Sequence, residues 1–376
     1  MIQGHVPYLI VATDYATSCS GTCPTCVLSR EERLRPMAAT TPELMLKGMR
    51  AAAETYSDVG TLAVGVGRAN VLDLPEGSID EIGRVAGGVQ GMFGQRDTLL
   101  EISTSLVGKL DRQTARALRL LEASGGWNAD VRFVVVANTA LHSDKYWKNV
   151  ESFMSSVEQA RGEVGEDGNG DILQLALSLD SLPDPAELAS RVSYQKAPMN
   201  LTWAPAFDRG LEREGALRRM GEWIVEWYRL TADGEMDSSL VNRVRQSLRM
   251  MDSGLKEAVE HARNSSAAVV YVRPDGRWHN GLFTVLAEMD PVRFDPEADG
   301  GQMAATTPPE LRRLMSNPAC RDCPFVNACI SSGSHRIGLM ALRRFPQGTE
   351  DCPSGLRGAF EAAWKDREET RRRAHA

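Results

Sequence analysis

Through the first 210 residues, short apolar runs alternate with stretches whose apolar positions recur every three or four residues. The runs "YLIVA" (8–12), "TLAVGV" (61–66), "TLLEIS" (98–103), "VRFVVVAN" (131–138), "ILQLALSL" (172–179) and "MNLTWAP" (199–205) have the length and β-branched content of buried strands. Between them, "PELMLKGMRAAAETY", "SIDEIGRVAGGVQGMF", "RQTARALRLLEAS", "YWKNVESFMSSVEQAR" and "PAELASRVSYQ" read as helices. Strands alternating with helices predict βαβ units, a parallel sheet and right-handed crossovers. Six such units predict an α/β fold, a partial (β/α)6 TIM-like barrel, with its ligand site at the C-terminal ends of the strands.

After residue 210 the rhythm changes. Two helical stretches, "EGALRRMGEWIVEWYRL" and "SSLVNRVRQSLRMMDSGLKEAVEHAR", precede a hairpin signal, "AVVYVRPDGRWHNGLF", with Pro274-Asp275-Gly276 as its turn. The acidic, glycine-rich "GEVGEDGNGD" (162–171) reads as a surface loop. "MAATTPEL" (37–44) returns as "MAATTPPEL" (303–311), which predicts two helix starts, each with Thr as N-cap and Pro in the first turn.

Composition changes this picture only by exclusion. With 43 basic against 50 acidic residues, the net charge of −7 gives no electrostatic reason to expect nucleic acid or an anionic membrane. No run approaches the ~18 apolar residues of a membrane helix, and "MIQGHVPYLIVATDY" lacks the basic start and long apolar core of a signal peptide. A cytoplasmic protein is predicted, in which clustered thiols are metal or redox ligands rather than disulfides.

Of the seven cysteines, three stand in "SCSGTCPTC" as Cys19, Cys23 and Cys26, a C-x3-C-x2-C spacing with no histidine within ten residues. A structural zinc site closes its tetrahedron with four protein ligands. Three thiolates leave one position open, unless a remote residue completes a zinc site. The other four are Cys320, Cys323 and Cys329 in "ACRDCPFVNAC", and Cys352 after a 22-residue gap. In isolation these four fit a zinc site as well as an iron–sulfur cluster.

The first spacing, just after the first predicted strand, resembles the radical S-adenosylmethionine (radical SAM) family. The resemblance implies a [4Fe–4S] cluster on Cys19, Cys23 and Cys26, with the fourth iron left for S-adenosylmethionine, and a 5′-deoxyadenosyl radical that abstracts hydrogen from an unactivated carbon. Thr25 stands where the family usually has an aromatic residue, and "GVGRAN" (65–70) stands where it usually has Gly-Gly-Glu. By the same resemblance Gly65 and Gly67 offer backbone carbonyls to the cofactor, Ser103, Thr104 and Ser105 contact its ribose, and Asn138 and Ser178 lie on the same rim.

The second group resembles the C-terminal extension called SPASM, or its shorter relative called twitch. Gly333 stands at one of the extension's cysteine positions and the hairpin has no cysteine. The resemblance therefore implies one auxiliary [4Fe–4S] cluster on Cys320, Cys323, Cys329 and Cys352, in a smaller C-terminal α+β iron–sulfur domain. It assigns residues 1–215 to the barrel, 216–265 to connecting helices and 266–376 to the cluster domain.

Enzymes with such extensions mostly modify ribosomal peptides by crosslinking or oxidation, and this is the function the resemblance implies. The alternative is dehydrogenation, epimerisation or another radical modification of a small molecule. A non-catalytic zinc or iron–sulfur protein is the third. An electron donor such as flavodoxin or ferredoxin is an expected partner. Arg68, Asp180, Trp203 and Asp208 are candidates to face substrate. Among them Asp180, after the fifth strand, is the candidate proton acceptor. His279 and His335 read as surface residues or neighbours of the second cysteine group.

Overall fold

The computed structural model describes, apart from scattered single positions, residues 6–13, 41–56, 59–66, 70–73, 97–124, 130–164, 170–194, 197–205, 208–232, 238–265, 268–272, 278–280 and 308–374. Cys19, Cys23, Cys26, Gly67, Arg68 and nearly all of the helix expected at 78–93 lie outside the described residues. The chain groups into two compact units, 1–174 with 264–304, and 175–263 with 305–376. Among the described residues no helix is long and apolar enough to cross a membrane.

Strands and helices alternate as the apolar pattern requires: β1 (Val6–Thr13), α1 (Pro42–Thr55), β2 (Val59–Val66), β3 (Asp97–Thr104), α2 (Leu110–Ser124), β4 (Asp130–Asn138), α3 (Asp144–Val164), β5 (Ile172–Ala176), α4 (Pro185–Val192) and β6 (Met199–Thr202). At the start of α1, Thr41 Oγ1 accepts from Leu44 N at 3.3 Å and Pro42 takes the first turn, where its missing N–H costs nothing.

β1, β2, β3 and β4 pair in parallel, and the full sheet order is β6-β5-β4-β3-β2-β1-β7-β8. From β1 to β6 the strands lie in chain order without a switch point. Successive right-handed crossovers then place their helices on one face. This α/β topology is that of a partial (β/α)6 TIM-like barrel.

In the first unit, parallel partners share a face, so Gly65, Glu101 and Arg132 form one row across β2 to β4. One residue on, Phe133 points the other way and meets Phe153 of α3 edge-on at 5.9 Å. Such an aromatic pair adds about 0.5–1.5 kcal/mol beyond its burial. The row with Gly65 is therefore on the inner face, opposite α3. Beside β1, the predicted hairpin supplies β7 (Ala268–Val272), parallel to β1, and β8 (Trp278–Asn280), antiparallel to β7 with Tyr271 opposite His279.

The stretch 162–171 is less of a surface loop than its composition suggests. α3 continues to Val164, and Asp171 is buried, receiving Arg161 Nη2 at 2.7 Å, Arg161 Nε at 2.9 Å and Phe133 N at 2.8 Å. Each charge is buried with its counter-charge and backbone donors, as burial of ions demands.

The second unit is mainly helical: α5 (Ala216–Ala232), α6 (Ser239–Ser247), α7 (Leu255–Ser265), α8 (Pro308–Ser316), α9 (Pro318–Arg321), α10 (Val326–Ser331), α11 (His335–Leu342) and α12 (Arg357–Ala374). Leu217, Met220, Trp223, Ile224, Trp227 and Tyr228 bury one stripe of α5, with Trp223 and Trp227 stacked at 5.5 Å. α12 approaches α5 through glycine: a Cβ on Gly358 would overlap Val225, and one on Gly355, itself at φ 72°, would lie 2.9 Å from Ile224.

Candidate functional site

Four short segments of the second unit bring four thiols together. Asn317 precedes α9, which carries Cys320. The chain turns so that Cys323 N donates to Cys320 O at 3.2 Å, and α10 then carries Cys329, whose N–H donates to Phe325 O at 2.8 Å. Cys352 arrives from the far end of α11, followed by Ser354 and the left-handed Gly355. The buried Ser354 hydroxyl stands 3.4 Å from Cys352 Sγ and 3.8 Å from Cys329 Sγ. Asn317 is buried as well. Its Nδ2 donates to Cys320 Sγ at 3.4 Å, while its Oδ1 accepts from Thr349 N at 2.7 Å, which fixes the amide.

All four thiols are free. Burial, opposed by the Asn317 hydrogen bond and helped by the neighbouring Cys352 and Cys323, pushes Cys320 up to about 11. Burial likewise raises Cys323 and Cys329, with Cys352 adding to both shifts. Raised in this way, Cys320, Cys323 and Cys329 stay protonated until a cation compensates their thiolates, so metal uptake here releases protons. The donor chemistry, four cysteine sulfurs with N–H and O–H groups aimed at them, suits a thiolate-held metal group. Among the described residues no three His, Cys, Asp or Glu side chains are close enough to hold a single metal ion.

Beneath the thiols, Ala258, Leu314, Ile330, Leu339 and Leu342 form an apolar floor with Cys320. Asn327 Nδ2 ties α10 to Ser253 O at 2.7 Å. His335 is 1% exposed. Burial lowers its pKa to about 4, which keeps the imidazole neutral beside the backbone of Cys329 and Ile330.

In the first unit the expected cofactor contacts lie at the C-terminal ends of β2, β3 and β4. Gly65 is buried on the inner face. Ser103 shares that face through its register partner Val134, and strand alternation puts Asn138 there too. Thr104 is turned to the helix side with Ile102 and Val135. Tyr146 fastens two strand ends together: its hydroxyl donates to Ser105 O at 3.2 Å and accepts from Asn138 N at 3.0 Å. Just beyond, Leu106 is buried at φ 53°, a left-handed conformation costing a non-glycine residue roughly 1–2 kcal/mol.

Several polar atoms at these strand ends are buried without a hydrogen-bond partner: Thr104 Oγ1, Asn138 Nδ2, and both Oδ1 and Nδ2 of Asn70. Asn138 Oδ1, by contrast, accepts from Ala140 N at 3.1 Å. Each unsatisfied buried group costs about 1–3 kcal/mol. Asn70, held just before the short turn Val71–Asp73, drew attention in the sequence only as the last residue of "GVGRAN". Glu101 and Arg132, on the inner face beside Gly65, were missed because an alternating strand pattern does not say which face is inside.

The strand ends of the second unit are built differently. Asp208 is buried, and accepts from Trp203 Nε1 at 2.7 Å, Leu179 N at 2.8 Å, Gly210 N at 2.9 Å and Ser178 Oγ at 3.4 Å. Ser178 Oγ also caps the next turn by accepting from Asp180 N at 3.3 Å. Asp180 itself is exposed and pairs with Arg213 at 2.9 Å. Among the four candidates for facing substrate, then, Trp203 and Asp208 hold each other in the interior, Asp180 meets solvent, and Arg68 is outside the described residues.

No family model matches the chain, and no curated protein matches it. Among solved structures it is similar to native anSMEcpe with bound AdoMet, with a TM-score of 0.44 and 11% identity over 96% of this chain and 99% of that chain. Native anSMEcpe with bound AdoMet and Cp18Cys peptide gives a TM-score of 0.43 at 11% identity, again over 96% and 99%. Streptococcus suis SuiB bound to precursor peptide SuiA gives 0.37 at 12% identity, over 86% of this chain and 71% of that chain.

Proposed function

We propose that the chain is a radical SAM enzyme with one auxiliary [4Fe–4S] cluster, and that it oxidatively modifies or crosslinks a ribosomal peptide. The observation that carries this reading is the convergence of Cys320, Cys323, Cys329 and Cys352 in a partly buried site with Asn317 and Ser354 at the sulfurs. Four thiols suit an iron–sulfur cluster, whose own iron and sulfide core stands between its ligands. Cys19, Cys23 and Cys26 follow β1, the strand at the start of a barrel in which ligands sit at strand C-terminal ends.

With a cluster and S-adenosylmethionine bound, the chemistry supplied is one-electron cleavage of the sulfonium and radical hydrogen abstraction. The chain's own part is to bind and orient. Cys19, Cys23 and Cys26 would hold the first cluster and leave one iron for the cofactor. Gly65, Ser103 and Asn138 stand on the inner face at the strand ends where it would lie, and Gly67, Thr104, Ser105 and Ser178 complete the set that the resemblance implies. Cys320, Cys323, Cys329 and Cys352 would hold an auxiliary cluster with no open iron, which would suit electron transfer rather than substrate coordination. Asp180, exposed beside Arg213, is the proposed proton acceptor for a net two-electron oxidation. A flavodoxin or ferredoxin supplies the reducing electron.

Anaerobic reconstitution tests the reading. The wild type is expected to hold about eight irons as two clusters, and the Cys19/Cys23/Cys26→Ala variant about four. Reduced wild type is expected to release 5′-deoxyadenosine and methionine, and the variant none. Peptides encoded beside the gene, and separately small metabolites, are then screened for product by mass. Stoichiometric zinc without visible absorption would refute the cluster assignment, and product from a metabolite alone would transfer the substrate class to small molecules.

A further inference from the structure

Every sulfur of the second cysteine group is met by a hydrogen-bond donor. Asn317 Nδ2 reaches Cys320 Sγ at 3.4 Å, and the backbone N–H of Phe325 reaches Cys323. The Ser354 hydroxyl lies between Cys352 Sγ at 3.4 Å and Cys329 Sγ at 3.8 Å, one hydrogen serving two sulfurs. Two of these three donors are side chains, and a further hydrogen bond points each of them at sulfur. Thr349 N donates to Asn317 Oδ1 at 2.7 Å, so the amide cannot flip. Leu356 N donates to Ser354 Oγ at 3.4 Å, which takes up an oxygen lone pair and leaves the hydrogen for a sulfur. Asn317 is 2% exposed and Ser354 4%, so water does not compete for either donor.

The charges nearby offset one another. Arg357 and Glu361 both act on Cys323, with opposite sign, and they hold each other at 3.0 Å. The floor of Ala258, Leu314, Ile330, Leu339 and Leu342 is apolar. Neutral donors are therefore the main polar influence on these sulfurs. An electron added to a thiolate-held cluster adds negative charge that spreads onto the sulfurs. An apolar floor opposes that charge, whereas donors aimed at the sulfurs stabilise it. Hydrogen bonds to charged groups are the stronger ones, and a low local dielectric strengthens them further. A donor present in both redox states thus holds the reduced state more firmly, and each one raises the reduction potential.

We infer that Asn317 and Ser354 set the reduction potential of the auxiliary cluster, holding it above what the apolar floor alone would give. Both are positioning residues that act through ligand sulfurs, Asn317 through Cys320 and Ser354 through Cys352 and Cys329. This rests on the auxiliary-cluster reading. The test uses the full-length Cys19/Cys23/Cys26→Ala chain as parent, reconstituted anaerobically, so that the second group alone can hold a cluster. Midpoint potentials are read by dye-mediated titration followed by electron paramagnetic resonance. Asn317→Ala and Ser354→Ala are each expected to lower the equilibrium constant for reduction about tenfold, which is about 59 mV for a one-electron couple. The two donors reach different sulfurs, so the double variant is expected to fall about a hundredfold. Ser354→Thr keeps the hydroxyl and is expected to stay within about twofold of the parent. After exchange into deuterium oxide, the reduced parent is expected to show exchangeable-deuteron couplings that each alanine variant loses in part. Alanine variants that keep about four irons and a reduction constant within about twofold of the parent overturn the role of Asn317 and Ser354. Loss of the cluster from both alanine variants makes the two residues structural supports and overturns it too. A fall in Ser354→Thr equal to that in Ser354→Ala removes Ser354 from the assignment. A parent chain that takes up zinc, or no reducible cluster, overturns the auxiliary-cluster reading as well.

Discussion

After β5 and β6, Asp208 collects hydrogen bonds from Trp203, Leu179, Gly210 and Ser178, so a buried carboxylate and the donors around it satisfy one another. After β2, β3 and β4, Thr104 Oγ1, Asn138 Nδ2 and both amide atoms of Asn70 have no hydrogen-bond partner. Both regions spend polar residues at strand ends, where a barrel keeps its ligands. The first has a closed network that needs nothing further, and its residues are explained by folding. The second carries a desolvation penalty that folding leaves uncompensated, and for Asn138, on the inner face, a bound polar ligand is a natural source of the missing partner. The difference separates residues that hold the fold from residues that await something, which residue type alone does not do.

The largest effect that can break the comparison is predicted at Asp208. Asp208→Ala leaves the buried donors Trp203 Nε1, Leu179 N and Gly210 N without acceptors, an expected loss of about 3–5 kcal/mol. Asp208→Asn is expected to recover little, because its amide nitrogen meets donors where the carboxylate accepted. Denaturant unfolding followed by tryptophan fluorescence measures both. A loss below about 1 kcal/mol for the alanine variant would mean that the network is not closed in the way described.

How far this was legible in the sequence depends on the residue. Buried parallel strands are continuous apolar runs, so β1 to β4 lie within two residues of the runs that predict them. β5 and β6 stop three residues short of their runs for side-chain reasons. Ser178 turns the chain by capping Asp180 N, and Trp203 leaves the strand to reach Asp208. The hairpin was visible from Pro274-Asp275-Gly276, but its pairing with β1 was not, because a local pattern does not name the neighbouring strand. Asp171 sat in a stretch that reads as solvated loop, yet Arg161 draws it inside.

The same limit governs the candidate site. The meeting of Cys320, Cys323, Cys329 and Cys352 follows spacing that short helices and one return can bridge. Asn317 and Ser354, which touch the sulfurs, belong to residue types too common to stand out. Asp180 and Asp208 both follow a strand and are indistinguishable as letters. Only the direction of Trp203 buries one of them.

Asp180 therefore gives an intermediate test. Its pair with Arg213 is exposed on both sides, so Asp180→Ala is expected to cost under about 1 kcal/mol. If Asp180 accepts a proton, the variant still cleaves S-adenosylmethionine but yields less oxidised product, and the deficit shrinks as pH is raised and water takes over. An unchanged product yield across pH would remove Asp180 from the chemistry and leave its pair with Arg213 a surface contact.

The smallest effect is expected at Thr104, and it sharpens the comparison most. Thr104 is 2% exposed and its hydroxyl has no partner, while its register with Val135 turns it to the helix side, away from Ser103. Thr104→Val keeps the branched shape that fits a strand and exchanges the hydroxyl for a methyl. A partnered hydroxyl would be missed by about 0.5–1.5 kcal/mol, whereas an unpartnered one is replaced at no loss or with a small gain. Chemical denaturation of the ligand-free protein is thus expected to show Thr104→Val within about 0.5 kcal/mol of wild type, on the stable side. Dialysis against S-adenosylmethionine then sorts the two faces of the strand: a ribose contact predicts weaker binding by Thr104→Val, and a position turned to the helices predicts none. Asn138→Ala, on the inner face, is the control expected to weaken binding. Loss of affinity in Thr104→Val equal to that in Asn138→Ala would show that the end of β3 presents both of its faces to the cofactor.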